Sequence, residues 1–145
     1  MIRKIKPGDR DEYIKMAVDF YNSGAVIAPV GLKNIEATFD EMINSDRYVE
    51  GYFIEADGTV TGFGLLAKTF SQESGGLVVW IEELFIKPEY RSYGLGKEFF
   101  KFLDENFSSA SRFRLETEPD NHRAIKLYKS LGFEPFEYIQ FKKGQ

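Results

Sequence analysis

Residues 89–98, "EYRSYGLGKE", set a basic residue and two glycines, Arg91, Gly94 and Gly96, between two apolar runs of different period. Upstream, "LVVWIEELFIKP" (77–88) has the apolar density of a buried strand; downstream, "GKEFFKFLDENF" (96–107) puts Phe99, Phe100, Leu103 and Phe107 on one helical face. The turn therefore opens a helix whose first amides lack intrahelical acceptors and whose dipole adds partial positive charge, a setting suited to an anion. Glycines let a bulky phosphate reach the backbone, and Arg91 adds a charge-assisted contact. A plain strand-to-helix turn that uses glycine only for its dihedrals is the alternative. Two common nucleotide fingerprints do not fit. A dinucleotide turn needs a third glycine where Phe99 stands, and a P-loop needs Ser or Thr where Glu98 follows Lys97.

Outward from this turn the elements alternate. "MIRKIK" reads as a short strand, and "PGDRDEYIKMAVDFYN" carries Tyr13, Met16, Ala17, Phe20 and Tyr21 at helical spacing. "NIEATFDEMIN" is a second, weaker helix with Ile35, Phe39, Met42 and Ile43 on one face. "YVEGYFIEADGTVTGFGLLAKTF" is a hairpin around Asp57-Gly58. After the glycine turn and its helix come a strand, "RFRLETE", a helix, "NHRAIKLYKSLGF", and a last strand, "EPFEYIQF". The order predicts an α/β (α+β) fold in one domain, residues 1–145, with a mixed central sheet flanked by helices on both faces.

Composition narrows the chemistry. A net charge of -4 argues against a nucleic-acid surface, which needs clustered Lys and Arg. No leader-like apolar region or bilayer-length apolar run is visible, so the expectation is a cytoplasmic protein without membrane partners. With no cysteine and one histidine, His122, thiol nucleophiles, disulfides and multi-histidine or thiolate metal sites are excluded, and no metal is expected.

Two segments together carry a resemblance. "PEYRSYGLGKEF" resembles the Arg/Gln-x-x-Gly-x-Gly/Ala pyrophosphate turn of the GNAT acetyltransferases, and "NHRAIKLYKSLGF" is similar to their downstream Asn-x-x-Ala-x-x-x-Tyr-x-x-x-Gly-Phe segment. Both occur in the right order with a strand between, and "IRKIKPGDRDEY" is similar to the family's opening strand and helix. The resemblance implies the GNAT fold, in which two neighbouring parallel strands, here "VVWIEELFI" and "RFRLETE", splay apart around acetyl-CoA. It implies that the backbone of Leu84, Phe85 and Ile86 holds the pantetheine arm, and that Arg91, Ser92, Tyr93, Gly94, Leu95, Gly96 and Lys97 cradle the pyrophosphate. It also implies that Asn121 touches the arm while capping its helix. The implied activity is transfer of acetyl from acetyl-CoA directly to a primary amine of a small, cationic, polyamine-like acceptor. A homodimer is in keeping with similar proteins.

An alkyl ammonium is almost fully protonated at neutral pH, so the reaction needs a base, and the departing thiolate gains from an acid. Glu82 and Glu83 are the candidate bases. Their strand is expected to bear Trp80, Leu84 and Ile86 on one face and Ile81 and Phe85 on the other, leaving neither carboxylate an evident solvated side. By the resemblance Glu82 matches the family's base and stands ahead of Glu83, for which a structural ion pair with Lys or Arg is equally in view. Tyr128 matches the family's general acid, against the alternative that it packs in a stripe with Ala124, Leu127 and Leu131. Glu116 and Glu118 alternate with Arg112 and Arg114, the pattern of a strand face held by ion pairs, or else of an acidic acceptor pocket. Tyr21, Trp80, Glu83 and Glu116 are the candidate acceptor contacts. A non-catalytic acyl-CoA-binding or sensing module, and an interaction domain with a merely structural turn, are the rival readings.

Overall fold

The computed structural model describes residues 1–23 and 30–145. Five strands, β1 (Ile2–Lys4), β2 (Val49–Ala56), β3 (Thr59–Ser71), β4 (Gly76–Ile86) and β5 (Arg112–Leu115), form one sheet in chain order. The first three pairings are antiparallel and β4–β5 is parallel. A parallel pair cannot be joined by a tight turn, so helix α3 (Leu95–Asn106) makes the crossover between β4 and β5. Helices α1 (Arg10–Tyr21) and α2 (Leu32–Asn44) precede β2, and α4 (His122–Ser130) follows β5. The Asp57-Gly58 hairpin forms with φ of 51° and 76°, the paired positive values its dipeptide favours. No described helix is long and apolar enough to cross a membrane.

Each face of the sheet has its own core. α1 and α2 bury Tyr13, Met16, Phe20, Ile35, Phe39 and Met42 against Phe53, Phe63, Leu65 and Phe85. α3 buries Phe99, Phe100 and Leu103 against Ile54, Leu66, Val79 and Ile81 on the other side, with Tyr128 and Leu131 packed at its edge. Phe63, fully buried, takes the edges of Tyr13 and Phe20 at centroid distances of 5.5 and 6.2 Å, locking the end of α1 over β3 and β4.

The two faces of β4 are not the ones strict alternation predicts. β3 pairs Leu65 with Glu83 but Leu66 with Ile81, so Glu82 is an extra residue, a β-bulge. The bulge shifts the side-chain phase by one: Ile81 joins Leu84 and Ile86 on the α3 face, while Phe85 lies on the α1 face. Grouping Ile81 with Phe85 is therefore wrong, because period 2 holds only on either side of the inserted residue. The final strand is also not formed. Residues 134–141 make no ladder, and Ile139 and Phe141 are exposed, although Phe136 stacks on Arg112 and Arg114 at 4.8 and 4.7 Å. "RFRLETE" is a strand only as far as Leu115.

The close seating of α3 comes from a signal in "TGFGLL". A Cβ on Gly64 would stand 2.2 Å from Cζ of the fully buried Phe99, and one on Gly62 would stand 2.2 Å from the Phe85 carbonyl oxygen. Glycine at 64 lets the Phe99 ring rest on bare backbone of β3, which sets how near the start of α3 comes to the sheet, while glycine at 62 gives room for the Phe85 carbonyl of β4. Gly64→Ala is expected to lower stability by about 1–3 kcal/mol through this overlap, read as a lower urea midpoint at unchanged m-value. Adding Phe99→Leu should recover part of the loss.

Candidate active site

The β4–β5 ladder runs only from Val78–Arg112 to Ile81–Leu115, whereas the β3–β4 ladder continues to Gly62–Ile86. From Glu82 onward β4 therefore has an open edge towards β5, and the separation begins at the bulged residue. Bulges bend and over-twist a strand, which gives the divergence a local cause. A cleft of about 580 Å³ opens here, lined by Leu84, Phe85 and Ile86, by the glycine turn, and by Asn121 and Tyr128 of the last helix. An open strand edge presents unpaired N–H and C=O groups, which an extended amide-bearing chain can satisfy as an added strand does.

At one end of the cleft, Gly94 caps α3 with φ 81°, and the first helical bond is donated by Glu98 N–H to the Gly94 carbonyl at 3.0 Å. The amides of Leu95, Gly96 and Lys97 are thus without helical acceptors, and no side chain caps them. Gly96 lines the cleft with an unexceptional φ and no atom within 4 Å of where its Cβ would project. Neither dihedral nor packing requires glycine there; the open space lies beside the orphan amides. Ser92 adopts a left-handed φ of 71°, and its Oγ accepts a 2.9 Å bond from Arg123, which also lines the cleft. These residues could hold a diphosphate: the three free amides of the α3 N-terminus, with Arg91, Lys97 and Arg123 along the wall. Arg91 donates Nε–H to the Ile86 carbonyl at 2.9 Å, so it ties the turn to the end of β4 and offers only its terminal nitrogens to a ligand.

The two glutamates of β4 differ sharply. Glu82 is exposed, forms no ion pair among the described residues, and has its carboxyl raised above the ordinary value by neighbouring protein bulk and by the charge of Glu116. Glu83 is buried at 8% exposure; one oxygen accepts from the Tyr21 hydroxyl and Oε2 has no partner among the described residues. The expected structural ion pair for Glu83 is absent among those residues. Burial pushes its carboxyl up to about 7, with a contribution from the Glu82 charge and an opposing one from the Tyr21 bond. Glu50, equally buried on β2, shows what a structural carboxylate looks like here: Lys68 at 2.9 Å, Lys4 at 3.3 Å and the Tyr52 hydroxyl at 3.0 Å surround it.

Tyr128 packs its ring edge-on against Phe100 and Phe133 at 5.9 and 6.2 Å, and its hydroxyl makes no hydrogen bond among the described residues. Burial raises its pKa above the ordinary phenol value, making it a weaker acid than a solvated tyrosine. The core stripe and the cleft position thus coexist in one side chain. Asn121 accepts from Ala124 N–H at 3.3 Å as the N-cap of α4 and still lines the cleft. The Tyr93 side chain is 79% exposed, and Tyr93, like Tyr21, Trp80, Glu82, Glu83 and Glu116, is not among the residues that line the cleft. Trp80 lies under the Arg114 guanidinium at 4.1 Å, in a stack with Phe136. Arg112 pairs with Glu73 at 3.0 Å, and among the described residues no ion pair joins Arg112 or Arg114 to Glu116 or Glu118; Glu116, past the end of β5, is exposed and close enough to Glu82 for its charge to be felt. Phe20, Ser23 and Arg123, unforeseen as cleft residues, line it as well. Only Arg123 carried a legible signal, a cation in the first turn after Asn121.

Residues 16–133 match the model of the Acetyltransferase (GNAT) family. Thialysine N-epsilon-acetyltransferase of Sus scrofa is 26% identical over 147 residues, covering 91% of this chain and 82% of that protein. A possible acetyltransferase from Clostridium difficile 630 superposes with a TM-score of 0.85 at 17% identity, covering 100% of this chain and 97% of the other. The aminoglycoside acetyltransferase AAC(6')-Iy, solved with the bisubstrate analogue CoA-S-monomethyl-acetylneamine, gives 0.81 at 19% identity over 100% and 97%.

The Glu83 environment has a thermodynamic signature. Between the ordinary value of 4.5 and the folded value of about 7, the folded protein binds a proton that the unfolded chain releases. Stability contributed by the neutral acid is complete below 4.5 and is lost as pH rises to 7, by roughly 3 kcal/mol. Glu83→Gln, uncharged throughout, is expected to melt higher than the parent at pH 8 and to lose that advantage below pH 4.5 in calorimetric scans.

Proposed function

The chain belongs to the acetyltransferase (GNAT) family, and from that premise we propose that it transfers acetyl from acetyl-CoA directly to a primary amine of a small cationic, polyamine-like acceptor. The observation that carries the acceptor class is the group of carboxylates at the strand divergence. Glu82, Glu83 and Glu116 have no cationic partner among the described residues; burial raises the carboxyls of Glu82 and Glu83, and repulsion from Glu116 on Glu82 and from Glu82 on Glu83 adds to it. An acceptor ammonium relieves that repulsion on arrival. Relatives named for thialysine and for aminoglycoside acetylation agree with an amine acceptor.

In this reading the diphosphate of acetyl-CoA lies on the amides of Leu95, Gly96 and Lys97, with Arg91, Lys97, Arg123 and Ser92 around it. The pantetheine arm runs along the open edge of Leu84, Phe85 and Ile86 and past Asn121, which brings the thioester towards the bulge. Glu82 is the general base for the attacking nitrogen, and Tyr128 delivers its hydroxyl proton to the coenzyme thiolate as the C–S bond breaks. An amine attacks only when neutral, so the base is needed before the new C–N bond forms. A thiol pKa near 8.5 makes the acid helpful rather than indispensable.

Calorimetric titration with CoA, paired with thiol-release assays on a panel of diamines and thialysine, tests this. Glu82→Gln is expected to lower kcat about a hundredfold, and Tyr128→Phe about tenfold, each with unchanged affinity for CoA. Absence of CoA binding to the parent protein would overturn the reading.

A further inference from the structure

Conversion of an ammonium into an amide strips two protons from nitrogen, and Glu82 as base holds only one of them per turnover. A second acceptor within reach of the nitrogen is chemically required, whether side chain or water. Glu83 stands beside it, buried, with one carboxylate oxygen bonded by the Tyr21 hydroxyl and the other without a partner among the described residues. An aliphatic residue opposite Leu65 would fill this place without the cost of a lone buried carboxylate.

Tyr21 is the last residue of α1 and is half-buried. Its ring meets Phe20 edge-on at 5.0 Å, and Phe20 in turn packs on Phe85 at 6.1 Å, so the end of α1 is held against β4. Phe20 and Ser23 on either side of Tyr21 line the cleft, and the Tyr21 hydroxyl feels the charges of both Glu83 and Glu82. Tyr21 and Glu83 lie beside the cleft lining rather than in it, and the hydroxyl bonds the carboxylate that directly follows the bulged Glu82, where the strands begin to diverge. The titratable groups around Glu83 are Glu82 on its own strand and Tyr21 and the buried Tyr13 on α1; β3 opposes it with Leu65.

We propose that Tyr21 and Glu83 form a proton relay for the acceptor amine, in which the Tyr21 hydroxyl receives a proton from the nitrogen while passing its own to the Glu83 carboxylate. The inference rests on the amine-acetylation reading. Glu82 takes the first proton, from the ammonium. As nitrogen bonds to the thioester carbonyl carbon, its second proton moves to the Tyr21 oxygen and the Tyr21 proton moves to Glu83, leaving a neutral tyrosine and a neutral acid. The C–S bond breaks, the thiolate takes the Tyr128 proton, and Tyr128 regains one from Glu82. Glu83 returns its proton to water through Tyr21, so one proton is released per acetyl transferred. Glu83 is a positioning residue in this scheme, acting through Tyr21. A buried carboxyl titrating at about 7 suits a group that must accept and release a proton near neutrality.

The test is the pH profile of kcat/KM with thialysine and 1,4-diaminobutane as acceptors for the parent protein, Tyr21→Phe, Glu83→Gln and Glu83→Asp. The parent is expected to gain activity through an apparent pKa near 7. Tyr21→Phe and Glu83→Gln should each lose that limb and about ten- to a hundredfold in kcat, with CoA affinity within twofold, while Glu83→Asp regains part of both. Parental kcat and an unaltered limb in Tyr21→Phe and Glu83→Gln would overturn the relay. Carbon-13 NMR titration of the glutamate carboxyls supplies a readout independent of turnover. Glu83 should titrate near 7, and higher still in Tyr21→Phe, where the bond that stabilises its anion is gone; a value in the ordinary carboxylate range sinks the proposal. If no amine is acetylated, the acetyl-transfer reading fails on its own and the carboxyl titration still decides whether the Tyr21–Glu83 pair is built as inferred.

Discussion

The parting of β4 from β5 at Glu82 is the constraint on which the site depends. A sheet that stayed paired to the end of β4 would have no free edge at Leu84, Phe85 and Ile86 and no cleft between the strands. One inserted residue does three things together: it turns Ile81 and Phe85 to opposite cores, it carries Glu82 outside the ladder, and it precedes the only inward-facing carboxylate of the strand. A bulge costs ladder hydrogen bonds, and the apolar packing on either side, Ile81 and Leu84 in one core and Phe85 in the other, offsets that cost. Fold and site are therefore coupled at a single backbone irregularity.

The second requirement is that a helix start beside that open edge. Phe99 seated on Gly64 brings α3 down on the sheet. Gly94 then turns the chain through a left-handed residue, leaving three amides uncapped towards the cleft. Helices of ordinary proteins spend a Ser, Thr, Asp or Asn on this position. α2 likewise begins at a glycine, Gly31, without a side-chain cap, so what distinguishes the α3 terminus is that its free amides border the cleft.

Much of this was legible in the sequence because it is local. The glycine turn, the Asp57-Gly58 hairpin, the amphipathic stripes of α1, α2 and α3 and the Asn121 cap each follow from residues within one or two turns of each other. What was not legible depends on pairings across long separations. The bulge is invisible in "WIEELF" alone, since only the count of residues on β3 reveals it. Tyr21 and Glu83 meet across 62 positions. Trp80 reads as a pocket residue until Arg114, from the neighbouring strand, covers it. Residues 134–141 have strand composition, yet Arg112 and Arg114 take Phe136 as a stacking partner and no ladder forms. Sequence pattern states what a segment can do; the neighbour decides which of those things it does.

Two buried carboxylates, Glu50 and Glu83, make the functional argument by contrast. They lie on the same sheet at nearly equal burial, 7% and 8%. The chain surrounds Glu50 with two lysines and a tyrosine, so it has the means to neutralise a carboxylate where the fold alone needs one. At Glu83 it supplies a tyrosine and no cation among the described residues. A packing role would be served better by leucine or by a nearby lysine, and either is a small sequence change. An unneutralised acid beside an open strand edge has given up its stabilising contribution by neutral pH and gains a proton site that responds there. Both an arriving acceptor ammonium and a proton passed through Tyr21 give that exchange a physical rationale.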